Sequence, residues 1–342
     1  MKRFFLSIAV VFFFFPVFAI SRKDFSLSVE PLFGLRRGQI DEYVFLKKSN
    51  FSNDKLSELN WEIRPEWYYG FNIHGGLKQF FVETGLKFGV SGETGQMMDS
   101  DWLNAQTSSM SYGVSSKKAA GHDYKTHYSE HDNNLDYDIN FNIKGGYEFR
   151  IFEIFGIKPS LSFDYQNIKF TGRNGKGWYG LGRNREFYDL YEYYAPYDDT
   201  ANQYSQEFSG RVITYQRELS LLWLGSDFSV DLPLHFSLTA GFFFAPYVYA
   251  VSYDCHLTTN VDYADLTKGS FSAFKWNLGA EYKLNDRHSF SIIASWFRMN
   301  ELRGENYEKE SSKSSFKKSS AVEGGAGARY FDLCFSYRFK LF

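Results

Sequence analysis

The sequence of 342 residues lacks the features that define several common protein classes. Its two cysteines, Cys255 and Cys334, are too far apart for a disulfide framework or a zinc-finger spacing. Its 38 basic and 40 acidic residues leave a net charge of -2, so no cationic surplus exists for binding nucleic acid. A mean hydropathy of -0.39 and the lack of long internal apolar runs argue against a bundle of membrane-spanning helices.

The one continuous apolar run stands at the start of the chain. Lys2 and Arg3 precede an apolar stretch over residues 4–18, which closes with small residues up to Ala19. The stretch is shorter than the roughly 20 residues that a membrane-spanning helix needs. We therefore predict a secretory signal peptide over residues 1–19 and a single domain over residues 20–342.

Aromatic residues, in contrast, are abundant and regularly spaced. The chain has 37 phenylalanines and 25 tyrosines. From Leu135 to Lys144, an apolar residue occupies every odd position and Asp, Asn or Lys occupies every even position. A period of two is typical of a β-strand, because successive side chains point to opposite faces. The same alternation recurs at 82–90, 161–165, 219–223 and 331–339, across the whole chain after the signal peptide.

Strands with charged residues on one face and large aromatic residues on the other indicate a transmembrane β-barrel. A secreted β-sandwich or soluble barrel would have to enclose all of these rings in one core, so we favour the membrane barrel. The alternating runs predict ten strands, over residues 24–48, 57–76, 79–102, 132–150, 155–173, 207–228, 233–257, 267–284, 287–300 and 326–342. The predicted fold class is all-β, a ten-stranded antiparallel transmembrane β-barrel.

Short connections alternate with long polar ones along this series of strands. The long connections predict loops at about 103–131, 174–206, 258–266 and 301–325. In bacterial outer-membrane barrels the long loops are extracellular and the short turns are periplasmic. This alternation predicts a bacterial outer-membrane protein whose long loops face the cell exterior.

Two short acidic motifs lie near the ends of outgoing strands. Asp99 and Asp101 are two residues apart, as are Asp254 and His256, and residues at i and i+2 of a strand share a face. The alternation places both pairs in the lumen, where they could face each other. An aspartate beside a histidine fixes its tautomer and raises its basicity. The spacing fits a hydrolytic site, a metal site of three carboxylates and one imidazole, or simply polar lumen residues.

These motifs resemble those of the omptin family. The matching residues are 98–102, 254–256 and 138–145, and with the ten strands they extend the resemblance over the whole mature chain. The resemblance implies an outer-membrane endopeptidase of aspartic type. It also implies a barrel that extends above the outer membrane and carries its active site on the extracellular side.

The resemblance assigns roles to the four lumen residues. Asp254 would orient His256, His256 would be the general base for a water held near Asp99, and Asp101 would polarise the site. No acyl-enzyme, metal or other cofactor is implied, apart from an activating glycolipid such as lipopolysaccharide. The implied partners are polypeptide substrates at the cell surface and outer-membrane lipid, and the barrel is expected to be a monomer.

Omptins cleave next to basic residues through acidic pocket groups, and Glu42 matches one of them. Glu42 is therefore a predicted substrate-binding residue. Two other acids that the resemblance leads us to expect are absent, because Ser252 and His127 stand in their places. Because of these differences, the sequence does not decide whether the bond that is cleaved lies between two basic residues.

A lipid-binding patch on the outer wall is also part of the resemblance. Tyr165 and Lys169 match that patch, whereas Asn167 stands between them in place of an acid. The sequence thus predicts lipid binding at Tyr165 and Lys169 and leaves the identity of the lipid open.

Two functions other than proteolysis fit the same barrel. The tyrosine-rich segment 187–199 would serve an adhesin that kept the family frame without its activity. A porin is the third hypothesis, and it predicts ion conductance, which a lumen filled with paired charges should not show.

Overall fold

The computed structural model describes residues 25–47, 54–103, 124–181 and 194–342. The predicted signal peptide over residues 1–19 lies outside these ranges. Across the described ranges, no helix is long and apolar enough to cross a membrane.

Long antiparallel strands make up almost all of the described chain, as expected from the period of two. They are β1 (Phe25–Leu46), β2 (Lys55–Leu77), β3 (Phe80–Gly89), β4 (Gly92–Asp101), β5 (His127–Tyr147), β6 (Phe149–Ile151), β7 (Phe155–Gly180), β8 (Gln203–Glu207), β9 (Arg211–Asp231), β10 (Phe236–His256), β11 (Val261–Gly269), β12 (Ala273–Lys283), β13 (His288–Glu310) and β14 (Lys317–Lys340).

The strands pair into a continuous ring with ten positions. The order is β1, β2, β3 with β4, β5, β7, β9, β10, β11 with β12, β13 and β14, and β14 pairs again with β1. The short strands β6 and β8 pair with β7 at its two ends. The predicted ten-stranded antiparallel barrel is therefore confirmed.

Two ring positions are occupied by two successive strands where the sequence predicted one. One is the position of the predicted strand 267–284, which holds β11 and β12. The other is the position of the predicted strand 79–102, which divides into β3 and β4. A register shift between Glu93 and Gln96 contains Gly95 at φ +93°, a left-handed conformation that glycine adopts without strain. Beyond this irregularity the odd-numbered residues of β4 still face the lumen. The evidence is Met97, which lies buried in the interior core.

The strands are much longer than a membrane requires. A transmembrane strand needs about 9–11 residues, whereas β1 has 22, β14 has 24 and β7 has 26. We call the half of the barrel at the short turns the lower half and the other half the upper one. Large apolar side chains are exposed on the outside of the lower half, including Trp67, Phe71, Leu238, Trp276 and Ile292. The upper half therefore extends above the membrane.

Two of the predicted loops are wrong in large part. In the predicted loop 258–266, β11 begins at Val261, and in the predicted loop 301–325, β13 continues to Glu310 and β14 begins at Lys317. Above the membrane the outer face meets water, so it carries Lys, Glu and Ser and the apolar alternation disappears. The backbone hydrogen bonds between neighbouring strands do not depend on that alternation, so the strands continue without it. For the same reason β5 begins earlier and β7 ends later than the predicted loops 103–131 and 174–206 allow.

The interior of the barrel has three levels. Arg36 lies in the lower one, bonded to Glu66 and Asp138, and we call Arg36, Glu66, Asp138, Gln166 and Asp332 the lower network. Above it, stacked aromatic rings and aliphatic side chains fill the lumen. This apolar plug comprises Ile40, Trp61, Ile63, Met97, Ile168, Phe170, Ile213 and Tyr215. The third level, above the plug, is polar, and we call this end of the lumen the cleft.

Candidate active site

The upper end of β10 places Asp254 and His256 on the lumen face of the cleft. His256 Nε2 lies 2.6 Å from Asp254 Oδ2. Asp254 is buried, whereas the His256 side chain keeps 29% of its surface accessible. The His256 ring also stands edge-on to Tyr263 of β11, with centroids 5.3 Å apart. The aspartate therefore holds the imidazole in one orientation, with the ring still reachable from the cleft.

Asp99 and Asp101 project into the same cleft from β4. Asp99 lies opposite Leu59 of β2 and Ser129 of β5, and Asp101 lies opposite Ser57 and His127. The charges of both aspartates act on His256, so the structure brings the two predicted pairs together. Asp99 Oδ1 is buried and has no hydrogen-bond partner among the described residues.

The titration of the site follows from its excess of acid. Burial lowers the pKa of His256, but the charge and hydrogen bond of Asp254, with the charges of Asp99 and Asp101, raise it to about 9. Burial and the neighbouring Asp101 charge raise the pKa of Asp99 well above its usual range. Burial raises the pKa of Asp101 to about 6, against a hydrogen bond from Ser57 and the His256 charge. At neutral pH the site therefore rests as an imidazolium beside partly protonated carboxyls.

Glu42 lies in this cleft too, on β1 and in the same cross-strand row as Asp99. It is 3% exposed, and its Oε2 has no hydrogen-bond partner in the part of the chain that the structure describes. Burial and the charges of Asp254, Asp265 and Asp99 raise the pKa of Glu42 well above the usual range. The structure therefore joins the predicted substrate-binding residue to the acidic site.

Asp265 is a further acid of the cleft, and the sequence prediction missed it. Asp265 lies on β11, opposite Ser252 of β10, and accepts a hydrogen bond of 2.8 Å from Asn306 Nδ2. Burial raises its pKa to about 7. Asp265 falls within the predicted loop 258–266, and its position beside the other acids follows from the pairing of β11 with β10. We call Glu42, Asp99, Asp101, Asp254, Asp265 and His256 the acid cluster.

A buried serine–histidine pair lies beside the acid cluster. Ser129 Oγ is 2.9 Å from His131 Nε2, and both residues are at most 5% exposed. The other ring nitrogen of His131 faces the Asn174 carbonyl, so no carboxylate orients this histidine. Burial lowers the pKa of His131. Because the pair is enclosed, a peptide in the cleft meets His256 rather than Ser129.

The other residues that the sequence singled out lie outside the cleft. Tyr165 and Lys169 lie on the outer face of β7, where the Tyr165 hydroxyl donates to Glu218 at 3.2 Å. Cys255 faces outward between two cluster residues, beside Thr214 and Asp262. Most of the tyrosine-rich segment 187–199 lies outside the described residues.

Metal ligation was one chemical interpretation of the two acidic motifs. Within residues 25–47, 54–103, 124–181 and 194–342, no group of three or more His, Cys, Asp or Glu side chains is arranged to hold a metal ion.

Comparisons with known proteins place the fold. The outer membrane protease OmpT from Escherichia coli shares 16% identity and a TM-score of 0.73, over 92% of this chain and 97% of that one. The translocator domain of the autotransporter NalP from Neisseria meningitidis has 8% identity and a TM-score of 0.33, over 99% of this chain and 94% of that one. The latter score is too low to inform the fold. No curated protein matches the chain.

A family model identifies the chain directly. The model of the Omptin family matches residues 23–340, which is nearly the whole chain. This match and the shared barrel support an outer-membrane protease and imply a bacterial outer-membrane protein. With a ring of ten strand positions and a match of this extent, the chain belongs to the omptin family.

Proposed function

We propose that this protein is an outer-membrane endopeptidase that hydrolyses peptide bonds with a water molecule activated in the acid cluster. The observation that carries the proposal is the meeting of the Asp254–His256 dyad with the Asp99–Asp101 couple at the upper end of an otherwise filled barrel. A porin does not fit that interior, because the apolar plug closes the lumen beneath the cleft.

The reaction uses His256 to move one proton twice. Neutral His256 accepts a proton from the water as the water oxygen attacks the scissile carbonyl carbon. His256 then gives that proton to the amide nitrogen, and the carbon–nitrogen bond breaks. Asp254 holds the imidazole in the orientation for both transfers. No covalent acyl-enzyme is formed, in line with an aspartic-type rather than a serine-type classification.

The couple acts on the water and the carbonyl. A protonated Asp99, favoured by burial and by the Asp101 charge, donates a hydrogen bond and accepts another through its second oxygen. Such a group can hold the water and stabilise the negative charge that develops on the carbonyl oxygen. Asp101, two residues after Asp99 on β4, polarises the same water and carbonyl group.

A basic side chain of the substrate would activate this resting state. With a pKa of about 9, His256 must lose a proton before it can accept one from water. A cation bound between Glu42 and Asp265 offsets the negative charge that raises this pKa. We therefore infer a preference for arginine or lysine next to the scissile bond, with Asp265 supplying an acid beside Ser252.

The surroundings of the site complete the proposal. The cleft is at the end of the barrel remote from the short turns, so the active site faces the cell exterior, where it meets polypeptide substrates. Tyr165 and Lys169 on the outer wall would contact the headgroup of an outer-membrane glycolipid such as lipopolysaccharide. We propose a monomer, because the ring leaves no long unpaired edge among the strands that the structure describes.

The experiment that tests the proposal is a cleavage map. Barrel refolded in detergent, with and without lipopolysaccharide, is incubated with a peptide library, and products are identified by mass spectrometry. Wild type is compared with Asp99→Ala, with His256→Ala and with Asp262→Asn, an outward-facing control paired with Lys309 at 2.8 Å. We expect cleavage next to basic residues by wild type and control and none by the two cluster variants. A folded wild type that cleaves no peptide in either lipid condition would leave an adhesin as the better interpretation.

A further inference from the structure

One wall of the cleft consists of aromatic rings that none of the proposed chemistry uses. Asp101, His127, Tyr179 and Tyr204 lie directly opposite one another on β4, β5, β7 and β8. Directly paired residues of antiparallel strands share a face, and Asp101 faces the lumen. The three rings therefore line the cleft, beginning immediately beside the catalytic couple.

The rings pack into one continuous surface. His127 and Tyr179 have ring centroids 5.3 Å apart, and Tyr179 stacks on Tyr204 at 5.2 Å. Tyr194 stands edge-on to His127 at 5.3 Å. Tyr204 is 52% exposed, so the surface is open to a ligand. We call His127, Tyr179, Tyr194 and Tyr204 the aromatic wall.

The aromatic wall differs in charge from the opposite side of the cleft. Burial lowers the pKa of His127 to about 4, so this ring is neutral at physiological pH. Burial and the charge of Asp99 raise the pKa of Tyr179 to about 12, so its phenol is neutral as well. The wall itself contributes no carboxylate, whereas the β1–β11 side contributes Glu42 and Asp265. The cleft thus has one acidic side and one neutral aromatic side, with the catalytic groups between them.

We propose that the aromatic wall is a substrate subsite that takes an aromatic or large apolar side chain, across the scissile bond from the basic residue. This inference rests on the proposed endopeptidase function. Stacked rings gain free energy from apolar contact and from ring–ring geometry. A lysine or arginine at the wall would lose hydration without a carboxylate of its own, which is unfavourable. The preferred bond therefore joins a basic to an aromatic or large apolar residue, rather than two basic residues.

The test uses two fluorogenic peptides that differ at one position. Both carry arginine on one side of the scissile bond, and the neighbouring residue across that bond is phenylalanine in one and lysine in the other. We expect wild type to cleave the phenylalanine peptide with a kcat/KM about tenfold higher or more, from the burial of one additional ring. Equal rates, or a preference for lysine through cation–π contact, would overturn the inference.

Two variants assign the preference to the wall. Tyr204→Ala should lower the phenylalanine-to-lysine ratio by about threefold to tenfold, the contribution of one ring contact. His127→Asp should shift the ratio toward lysine by adding the missing carboxylate. Tyr253→Ala removes a tyrosine of similar exposure, 38%, from the outer face of β10 and should leave the ratio unchanged. A ratio that Tyr204→Ala and His127→Asp leave unchanged would assign the preference to another surface.

A binding experiment separates this inference from the proposed function. The same two peptides, with the scissile amide replaced by a methylene-amine, are titrated into His256→Ala. Tighter binding of the phenylalanine peptide supports the aromatic subsite even where no peptide is hydrolysed, a result that would overturn only the proposed function. Equal or weaker binding of that peptide would overturn the subsite whether or not wild type cleaves.

Discussion

Two charged regions lie in the interior of this barrel, and they differ in how their buried charges are compensated. In the lower network, Arg36 bonds Asp138 at 2.6 Å and Glu66 at 3.3 Å, and Gln166 adds a further hydrogen bond to Asp138 at 3.0 Å. In the acid cluster, five carboxyls share one histidine. Both regions contain buried polar atoms without a hydrogen-bond partner among the described residues, so the two regions differ in the balance of their charges.

The difference separates structure from function. A buried ion that is paired on several sides holds strands in register, and removing one partner leaves an uncompensated charge. A buried group of five acids around a single histidine is unfavourable for folding, so a stabilising role does not explain it. Perturbed acids gathered in a cleft are typical of sites that bind a cation or move protons. We therefore assign the lower network to stability and the acid cluster to chemistry.

The largest expected effect comes from the dyad. Asp254→Asn removes both the orientation of His256 and the main charge that raises the pKa of that histidine. We expect kcat to fall by about a factor of 10² to 10⁴, the usual contribution of positioned acid–base catalysis. The measurement is the initial rate on a fluorogenic arginine peptide, with Asp262→Asn as the matched control. A decrease of less than fivefold would contradict the assigned role.

The next largest effect is on folding and lies in the lower network. Arg36→Met leaves Glu66 and Asp138 without their cation, and we expect a loss of about 3–5 kcal/mol in the free energy of unfolding. Urea titration of the refolded barrel measures it. The control is Arg298→Met, which removes an exposed arginine of β13 and should change stability little. Equal stability of the two variants would show that the lower network is not structural.

The pH dependence distinguishes free enzyme from the substrate complex. A pKa of about 9 for His256 means that its imidazolium predominates below pH 9, so kcat/KM should rise with pH to a limb near 9. A bound cation lowers this pKa, so the limb of kcat should lie at lower pH. Since the folded-state pKa exceeds the usual 6.5, the stabilising contribution of His256 is present below pH 6.5 and lost as pH rises through 9. If kcat and kcat/KM rose over the same pH range, a bound cation would not lower the pKa of His256, which would contradict the proposed coupling.

The smallest effect concerns the pocket. Glu42→Gln and Asp265→Asn each remove one carboxylate that a cationic side chain would bind. We expect each to lower the preference for arginine over norleucine by about tenfold, the value of one charge-assisted hydrogen bond. Competition between the two peptides in one reaction measures the ratio. An unchanged ratio in Asp265→Asn would leave Glu42 as the acid that matters.

Much of this arrangement could be predicted from the sequence, because side-chain alternation reports which face a residue occupies. The alternation gave ten strands and placed Asp99, Asp101, Asp254 and His256 in the lumen, where the structure has them. It did not reveal Asp265 or Tyr204. Their neighbours are set by the register between paired strands, and the strands above the membrane lose the apolar outer face that makes alternation visible.

The most direct test of the account compares His256→Ala with Arg36→Met on one arginine peptide. For each variant, kcat/KM per folded barrel and the urea midpoint are measured together with those of wild type. We predict that His256→Ala loses at least about a hundredfold in kcat/KM per folded barrel, whereas Arg36→Met keeps kcat/KM and shows the larger loss of stability. Undiminished cleavage by a folded His256→Ala barrel would contradict the central claim that the acid cluster performs the chemistry.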